Sequence, residues 1–372
     1  MSEVAASVLD NTDRMRRIDK SDMLSFCVNA AEHYGKAAKT AEKISLQYSK
    51  PENIIVAGMG GSAIGGELLK DWASDKSPVP IEVCRAYALP AYANEKSLVL
   101  IVSYSGETEE SLSAFLDAAK RKCMIFCVSS GGSLLEFAEK LNLPYLRVPS
   151  GMPPRAALPY LFVPLLKSLE KMKIVPSVSE DLSEAITLLA RISGENAPQK
   201  PAKDNLAKRL ASEINGTVPV VYGFGVYRSV AQRFKQQFNE NSKVPSKWEF
   251  FSELNHNEIA GWENAEKLAR CFSTIFIRDK NEPNEIRNRI KATKTLMQPA
   301  QSNMFEVWSQ GKSTLAKMLS TICIGDFASV YLAVLRGVDP TPVSTIALLK
   351  EKMKKVGTKE KIIRELEKIA AE

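Results

Sequence analysis

Asn53-Ile54-Ile55-Val56-Ala57-Gly58-Met59-Gly60-Gly61-Ser62-Ala63 is the stretch that decides the fold class of this 372-residue chain. It opens with a short apolar run that ends in glycine, which is typical of a buried parallel strand. Helical patterning follows immediately, from Ala63 to Trp72. A strand that enters a helix through a glycine-rich turn is the first half of a βαβ unit, so the stretch predicts an α/β fold.

The same alternation of strand and helix patterns continues along the chain. Further strands are predicted at Ile81–Cys84, Leu98–Ser103, Met124–Val128 and Leu146–Val148, and helices at Glu107–Lys120 and Ser133–Leu141. Residues 21–48 have the pattern of one or two preceding helices. Strands and helices in turn imply an open, doubly wound parallel sheet with additional helices.

A second α/β unit is predicted after the proline-containing connection at residues 197–203. Its strand Val218–Tyr222, turn Gly223–Gly225 and helix Tyr227–Asn239 repeat the order of the first unit, and further strands are predicted at Trp248–Phe251, Ser273–Ile277 and Met304–Val307. Gly58-Met59-Gly60 aligns with Gly223-Phe224-Gly225, and Val79-Pro80 with Val244-Pro245, at one shared offset. So few identities also arise by chance, but the common order of elements favours a duplicated domain. We therefore expect two domains, over residues 1–200 and 201–372.

The composition is that of an ordinary folded protein, with 45% hydrophobic and 25% charged residues. Fifty Lys and Arg against 43 Asp and Glu give a net charge of +7, and the basic C-terminal stretch is interleaved with acids and apolar residues at helical spacing. This pattern indicates an amphipathic helix, so nucleic acid is not expected as a partner.

The location that we expect is the cytoplasm. Six scattered cysteines form no visible disulfide framework, and the charged N-terminus lacks the apolar core of a signal peptide. The most apolar stretch, Thr314–Leu335, is interrupted by Lys317 and Asp326, which predicts a buried helix and no membrane partner.

The glycine-rich turn at Gly58–Ala63 can bind an anion, because backbone N–H groups and the positive end of the helix dipole meet there. It also fits the pattern G-x-G-x-x-G/A, and Glu82 lies 24 residues beyond Gly58, so a dinucleotide site is an alternative. A third interpretation is a tight turn that needs small residues only for packing.

A second candidate anion loop follows the next predicted strand, at Ser103-Tyr104-Ser105-Gly106-Glu107-Thr108. Three hydroxyls converge on one helix N-terminus, whereas a helix cap needs only one. Gly106 leaves backbone N–H groups open to the oxygens of an anion. We therefore expect this loop to bind phosphate.

Gln310-Gly311-Lys312-Ser313-Thr314 is similar to the end of a nucleotide-binding P-loop, but Glu306 stands where that motif requires glycine. We interpret it as the start of a helix, with Ser309 as the expected cap.

Together the two loops resemble the sugar isomerase (SIS) domain, which binds the phosphate of phosphosugars. The likeness extends to further segments in the same order, and it resembles the bifunctional phosphoglucose/phosphomannose isomerases of archaea and some bacteria. These segments are Pro154-Arg155-Ala156-Ala157, Asn239–Lys243, Glu253–Trp262 and Asp339–Val343 leading to Lys350. Residues 171–203 and 282–300 have no counterpart that we can assign.

The resemblance implies a role for each matching residue. The phosphate would be bound by Gly60, Gly61, Ser62, Ser103, Ser105 and Thr108, whereas the remaining roles are catalytic. Glu240 would transfer the proton, His256 and Lys350 would open the sugar ring, and Arg155 would stabilise the enediolate.

Each of these residues also has an ordinary structural explanation. Glu240 and Lys350 could be solvated charges on helices, and Arg155 could pair with a surface carboxylate. Of the two histidines, His33 lies within a predicted helix and fits a structural role, whereas His256 lies in a polar, turn-rich segment that favours function. Glu253 and Glu258 are close enough in sequence either to rival Glu240 as the base or to orient His256, and the sequence does not separate these roles.

The expected enzyme is therefore an isomerase of glucose 6-phosphate and mannose 6-phosphate that uses neither a metal nor an organic cofactor. The resemblance also implies a homodimer with its active site at the interface. A noncatalytic phosphosugar-binding regulator is one alternative, since it would keep the hydroxyl loops without needing Glu240 and His256. A nicotinamide-dependent dehydrogenase is another, although it would not need the hydroxyl-rich second loop.

Overall fold

The computed structural model describes residues 3–298 and 303–371. The strands of this part of the chain are β1 Asn53–Ala57, β2 Ile81–Cys84, β3 Ser97–Val102, β4 Met124–Ser129, β5 Tyr145–Arg147, β6 Val218–Phe224, β7 Lys247–Phe251, β8 Phe272–Arg278 and β9 Met304–Trp308. The α-helices are α1 Glu3–Leu9, α2 Thr12–Ile18, α3 Met23–Val28, α4 Ala30–Ala41, α5 Gly60–Trp72, α6 Glu109–Lys120, α7 Gly132–Lys140, α8 Leu158–Lys171, α9 Ser179–Glu195, α10 Leu206–Ile214, α11 Tyr227–Glu240, α12 Glu266–Ala269, α13 Asn284–Met297, α14 Thr314–Leu335, α15 Ser344–Lys354 and α16 Thr358–Ala371.

The first sheet has the strand order β2-β1-β3-β4-β5, and all its strands are parallel. Alternate side chains point to opposite faces of the sheet. One face, with Ile55 and Ile101, packs against α6, α7 and α16. The other face packs against α5, where Gly66 lies so close to Val56 that an added Cβ would be 2.8 Å from that side chain. The sheet is thus covered on both sides, which confirms the predicted doubly wound architecture.

The second sheet has the order β7-β6-β8-β9 and is also parallel. Its strands in chain order, β6 to β9, occupy the same relative positions as β1 to β4 in the first sheet. The aligned turn glycines share a left-handed conformation, with φ +51° at Gly60 and +48° at Gly225. Because this conformation favours glycine, the two turns have the same local reason for the residue, which supports the predicted duplication.

Helix α14 is the core helix that the sequence predicts at Thr314–Leu335. It is long and apolar enough to cross a membrane by length and composition, but 89% of its most apolar window is buried within the fold. It packs against α9, α10 and α11, and Ser313 caps its N-terminus by accepting the N–H of Ala316 at 3.2 Å. The prediction that Ser309 caps this helix is wrong. Ser309 precedes the helix by five positions, and its hydroxyl forms a hydrogen bond with the Tyr227 hydroxyl instead.

The chain divides into two compact units that interleave in sequence. The first-sheet unit comprises His33–Val178 and Val343–Glu372, and the second-sheet unit comprises Met1–Glu32 and Ser179–Pro342. This differs from the expected boundary at residue 200. Helices α1, α3 and α9 pack on α14 of the second-sheet unit, whereas α16 packs on α6 and α7 of the first-sheet unit. The N-terminal helices α1 and α3 therefore belong to the unit of the second sheet, and the C-terminal helix belongs to the unit of the first sheet.

Candidate active site

The loops after β1 and β3 meet at the carboxyl edge of the first sheet. A Cβ at Gly58 would lie 2.8 Å from the carbonyl oxygen of Val102, so this glycine allows the close approach of β1 to β3. The buried Ser62 hydroxyl accepts the backbone N–H of Tyr104 at 3.2 Å. The two loops that the sequence singles out therefore form one local cluster.

The hydroxyls of the loop Ser103–Thr108 contact one another and leave the following helix uncapped. Ser103 Oγ donates to Thr108 Oγ1 at 3.1 Å, and Thr108, at the N-cap of α6, makes no capping hydrogen bond with its side chain. The exposed Ser105 accepts the N–H of Glu107 at 3.2 Å. Helix capping thus does not explain these hydroxyls, and the first N–H groups of α6 remain available to an anion.

A third loop, which the sequence analysis does not predict, forms backbone hydrogen bonds to the loop Ser103–Thr108. Between β4 and α7, Ser130 donates its N–H to the carbonyl oxygen of Tyr104 at 3.0 Å, and Leu134 donates to that of Gly106 at 3.0 Å. Gly106 has φ +70°, and an added Cβ would be 1.8 Å from the oxygen of Gly131. The signal that would have found this loop is Ser129-Ser130-Gly131-Gly132-Ser133, directly after a buried strand.

Arg155 lies next to the glycine-rich turn of the first sheet. Its side chain is buried, and a Cβ on Gly61 would be 3.3 Å from its Cα. Tyr104 positions the preceding segment, because its hydroxyl donates to the carbonyl oxygen of Pro149 at 3.0 Å and accepts the N–H of Met152 at 2.9 Å. Burial raises the pKa of Tyr104, which keeps this hydroxyl protonated. The structure thus places Arg155 beside the glycine-rich turn, in a segment that Tyr104 of the second loop anchors.

The remaining residue of the first-sheet unit, Lys350, lies on α15 and is exposed. No described hydrogen bond or ion pair joins it to the loops around Ser62 and Ser103. His33, also in this unit, shares a hydrogen bond of 3.2 Å with the hydroxyl of Tyr160, in agreement with the structural role expected for it.

Glu240 is the last residue of α11 in the second-sheet unit and is half-buried. The next residues fix the end of this helix to α14: Asn241 donates to Ser329 Oγ at 2.9 Å, and Ser242 donates to the Ser329 carbonyl at 2.6 Å. Lys243 donates to the backbone carbonyls of Glu240 and Pro340. A carboxylate here has a well-defined backbone position, as an acid–base group needs.

His256 ends a short 3-10 turn, Glu253–His256, and is exposed. Its neighbour Glu258 accepts the Tyr222 hydroxyl at 3.0 Å and pairs with Lys247. Burial, together with this carboxylate, raises the pKa of Tyr222. Glu258 thus joins this segment to β6 and β7, whereas Glu253 is exposed and, among the residues that the structure describes, accepts Asn257 Nδ2 at 2.8 Å.

The equivalent edge of the second sheet is occupied by carboxylates of the chain itself. Asp279, after β8, accepts the Tyr227 hydroxyl at 2.5 Å and pairs with Lys317 at 3.0 Å. Although partial burial raises the pKa of Asp279, these donors hold it below its usual value. At the start of α14, the N–H groups of Lys312 and Ser313 bind Glu184 at 2.6 and 3.0 Å. The loops at this edge of the second sheet are thus bound by carboxylates of the chain, whereas the loop after β3 carries the hydroxyls of Ser103, Ser105 and Thr108.

The acid that belongs to the dinucleotide alternative is bound within the chain. Glu82, the acid that a dinucleotide site would use, accepts the Tyr92 hydroxyl at 2.6 Å. Within residues 3–298 and 303–371 there is no group of three or more His, Cys, Asp or Glu side chains that could hold a metal ion. Cys123 precedes β4 and Cys127 lies within it, and both are buried free thiols.

Comparisons with known proteins agree with this arrangement. The family described as "Bacterial phospho-glucose isomerase C-terminal SIS domain" matches residues 203–353. The bifunctional phosphoglucose/phosphomannose isomerase of Caldicellulosiruptor bescii is 39% identical over 337 residues, which cover 90% of this chain and 99% of that protein. The enzyme of the same name from Thermoplasma volcanium is 35% identical over 312 residues, covering 83% and 94%.

A solved structure supports the fold. The glucose-6-phosphate isomerase like protein from Thermus thermophilus superposes with a TM-score of 0.60 at 16% identity, covering 89% of this chain and 96% of its own. The strand order and the hydroxyl loops of the first sheet, together with the identity to these relatives over most of the chain, lead to one conclusion: the chain belongs to the family of bifunctional phosphoglucose/phosphomannose isomerases.

Proposed function

We propose that this protein interconverts glucose 6-phosphate and mannose 6-phosphate with fructose 6-phosphate. The observation that carries the proposal is the hydroxyl pair Ser103 and Thr108, 3.1 Å apart at the uncapped start of α6. A phosphate is an anion with several acceptor oxygens, which suits hydroxyls and free backbone N–H groups. The phosphate would be bound by Gly60, Gly61, Ser62, Ser103, Ser105 and Thr108.

The chemistry needs a proton carrier, an acid–base group for ring opening and a charge that stabilises the intermediate. A base removes the C2 proton of the open-chain aldose, and the electrons form an enediolate with its negative charge on O1. A proton moves from O2 to O1, and the base returns its proton to C1 as the C2 carbonyl forms, which gives the ketose. Glucose and mannose phosphates differ only at C2, which becomes planar in this intermediate. One base and one intermediate therefore serve both substrates, and proton transfer of this kind requires neither a metal nor an organic cofactor.

We assign the proton transfer to Glu240, whose backbone is fixed to α14 through Asn241 and Ser242. Arg155 would stabilise the enediolate, a role that suits a permanently charged guanidinium. His256 and Lys350 would open the ring, since each can exchange a proton with a sugar oxygen. Glu253 remains the rival base, because its carboxylate is exposed and has only one described partner.

We further propose that the protein is a homodimer with its active site at the interface, to which the partner subunit's His256 contributes. Exposure of His256 and of the apolar side chains of α15 supports a partner surface. The free cysteines fit a reducing compartment, so the proposed location is the cytoplasm. There the reaction would serve glycolysis and gluconeogenesis.

The experiment is turnover of glucose 6-phosphate and mannose 6-phosphate, each assayed separately with a chelator present and with fructose 6-phosphate as the detected product. We expect activity on both. Activity on glucose 6-phosphate alone would narrow the substrate and leave the mechanism unchanged. Binding of both sugars without turnover would instead indicate a phosphosugar-binding regulator.

A further inference from the structure

The loop that we assign to the phosphate contains a carboxylate of its own. Glu107 lies between Gly106 and Thr108, and its side chain is 39% exposed. A phosphate monoester carries between one and two negative charges near neutral pH. Two anions repel each other more strongly at a partly buried site than in water. The loop therefore needs a compensating positive charge if Glu107 stays ionised.

Both oxygens of the Glu107 carboxylate are occupied. Oε1 accepts the backbone N–H of Ser133 at 2.8 Å, the Ser133 hydroxyl lies 3.1 Å from Oε2, and Lys359 forms an ion pair with Oε2. Partial burial alone would raise the pKa of Glu107, but the bonds from Lys359 and Ser133 outweigh it and lower the pKa. Glu107 is thus an ionised group whose charge is balanced by Lys359.

Lys359 is positioned by the packing of α16. Ile362 and Leu366 of that helix are buried in the core of the first-sheet unit, at 5% and 0% exposure. Lys120 of α6 adds an ion pair with Glu365 at 3.1 Å. Because the helix is held at several points, the amine of Lys359 meets the loop in a fixed place.

We propose that Lys359 is a positioning residue for phosphate binding, which neutralises Glu107 and holds the loop Ser103–Thr108 against the start of α7. This inference rests on the proposed function, since it assumes that the loop binds the substrate phosphate. Helix α16 would then contribute to substrate affinity in addition to covering the first sheet. Lys359 contacts Glu107, so it would act on the phosphate through the loop.

The test is Lys359→Met, which keeps the aliphatic stem and removes the charge. We expect the dissociation constant of inorganic phosphate, measured by calorimetry, and the KM of glucose 6-phosphate both to rise about five- to tenfold, with kcat within about twofold. Adding Glu107→Gln removes the unbalanced carboxylate, so the double variant should recover phosphate affinity to within about threefold of the original protein.

The matched control is Lys120→Met, which breaks an ion pair of the same helix away from the loop. Its phosphate affinity should not change. An equal loss in both lysine variants, unchanged affinity in Lys359→Met, or no recovery on adding Glu107→Gln would each overturn the proposal. Phosphate binding is measured without turnover, so an inactive protein that binds phosphate would contradict only the isomerase function. A protein that does not bind phosphate would contradict both.

Discussion

Glu240 is the residue whose replacement tests the proposed chemistry directly. Glu240→Gln keeps the size of the side chain and its place at the end of α11, but an amide cannot accept a proton from C2. We expect kcat for both sugar phosphates to fall about a hundredfold or more, with KM changed by less than about threefold. Steady-state kinetics with each substrate measures both quantities.

The control for this prediction is Glu266→Gln, an exposed acid on α12 of the same unit. It should retain full turnover. Full turnover in Glu240→Gln as well would remove Glu240 from the mechanism, and Glu253→Gln would then be the next variant to assay.

Gly106 allows the loop Ser103–Thr108 to approach the loop between β4 and α7 closely. Alanine at this position would be strained by φ +70° and would place its Cβ 1.8 Å from the oxygen of Gly131. We expect Gly106→Ala to lower the free energy of unfolding by at least about 2 kcal/mol and to weaken phosphate binding. Chemical denaturation and phosphate calorimetry measure the two effects.

Gly194→Ala is the matched control, because Gly194 lies within α9 and an added Cβ meets nothing within 4 Å. It should be neutral or stabilising by about 0.5–1 kcal/mol, as alanine is the better helix former. Similar stability of the two variants would show that the close approach of the two loops is not a constraint.

At the scale of elements, the segment before α14 shows how a motif that is similar to a nucleotide site serves a structural purpose. The N–H groups of Lys312 and Ser313, which a P-loop would direct at phosphates, bind the carboxylate of Glu184 from α9. Partial burial raises the pKa of Glu184, but these N–H groups outweigh it and lower the pKa. The segment thus joins α9 to α14.

This arrangement predicts a pH dependence of stability. Because the pKa of Glu184 is lower in the folded protein, its contribution is present above the unfolded pKa of about 4.3 and is lost as pH falls through the folded value. Glu184→Gln should therefore be less stable than the original protein at pH 7, and the difference should shrink below about pH 4. Urea denaturation at several pH values measures it, with exposed Glu180→Gln as control. A difference independent of pH would mean that the charge of Glu184 does not contribute.

Elements were predictable where the signal is local. Apolar runs with glycine at their ends, such as Asn53–Ala57, locate the strands to within about two residues, because a buried parallel strand needs that pattern wherever it lies. The cap of α14 was missed because Ser309 and Ser313 are both serines ahead of one apolar run, and only the backbone path distinguishes them. Local signals thus predict the presence of a helix better than its first residue.

At the scale of the whole molecule, the sequence could not predict which segments pack together. The apolar spacing of Ile362 and Leu366 fits any core, so the assignment of α16 to the first sheet depends on tertiary contacts. The same limit applies to the site: the serines of the loop Ser103–Thr108 are adjacent in sequence and were predicted, whereas Lys359 is 252 positions from Glu107. Contacts between residues so distant along the chain leave no pattern in one sequence.

The assembly of two chains is predicted from α15, a helix with no buried residue. Leu348 and Leu349 are 59% and 58% exposed, and Val356 just beyond the helix is 61% exposed. Because clustered exposed apolar side chains mark interaction surfaces, we expect light scattering to give twice the chain mass of 41.1 kDa.

Leu349→Glu should shift the mass toward one chain, since burying a carboxylate in an apolar interface is unfavourable. Leu296→Glu, at a leucine of α13 that is 66% exposed, should leave the mass at two chains. A single-chain mass for the unaltered protein would contradict the homodimer, and a dimer that survives Leu349→Glu would move the interface away from α15.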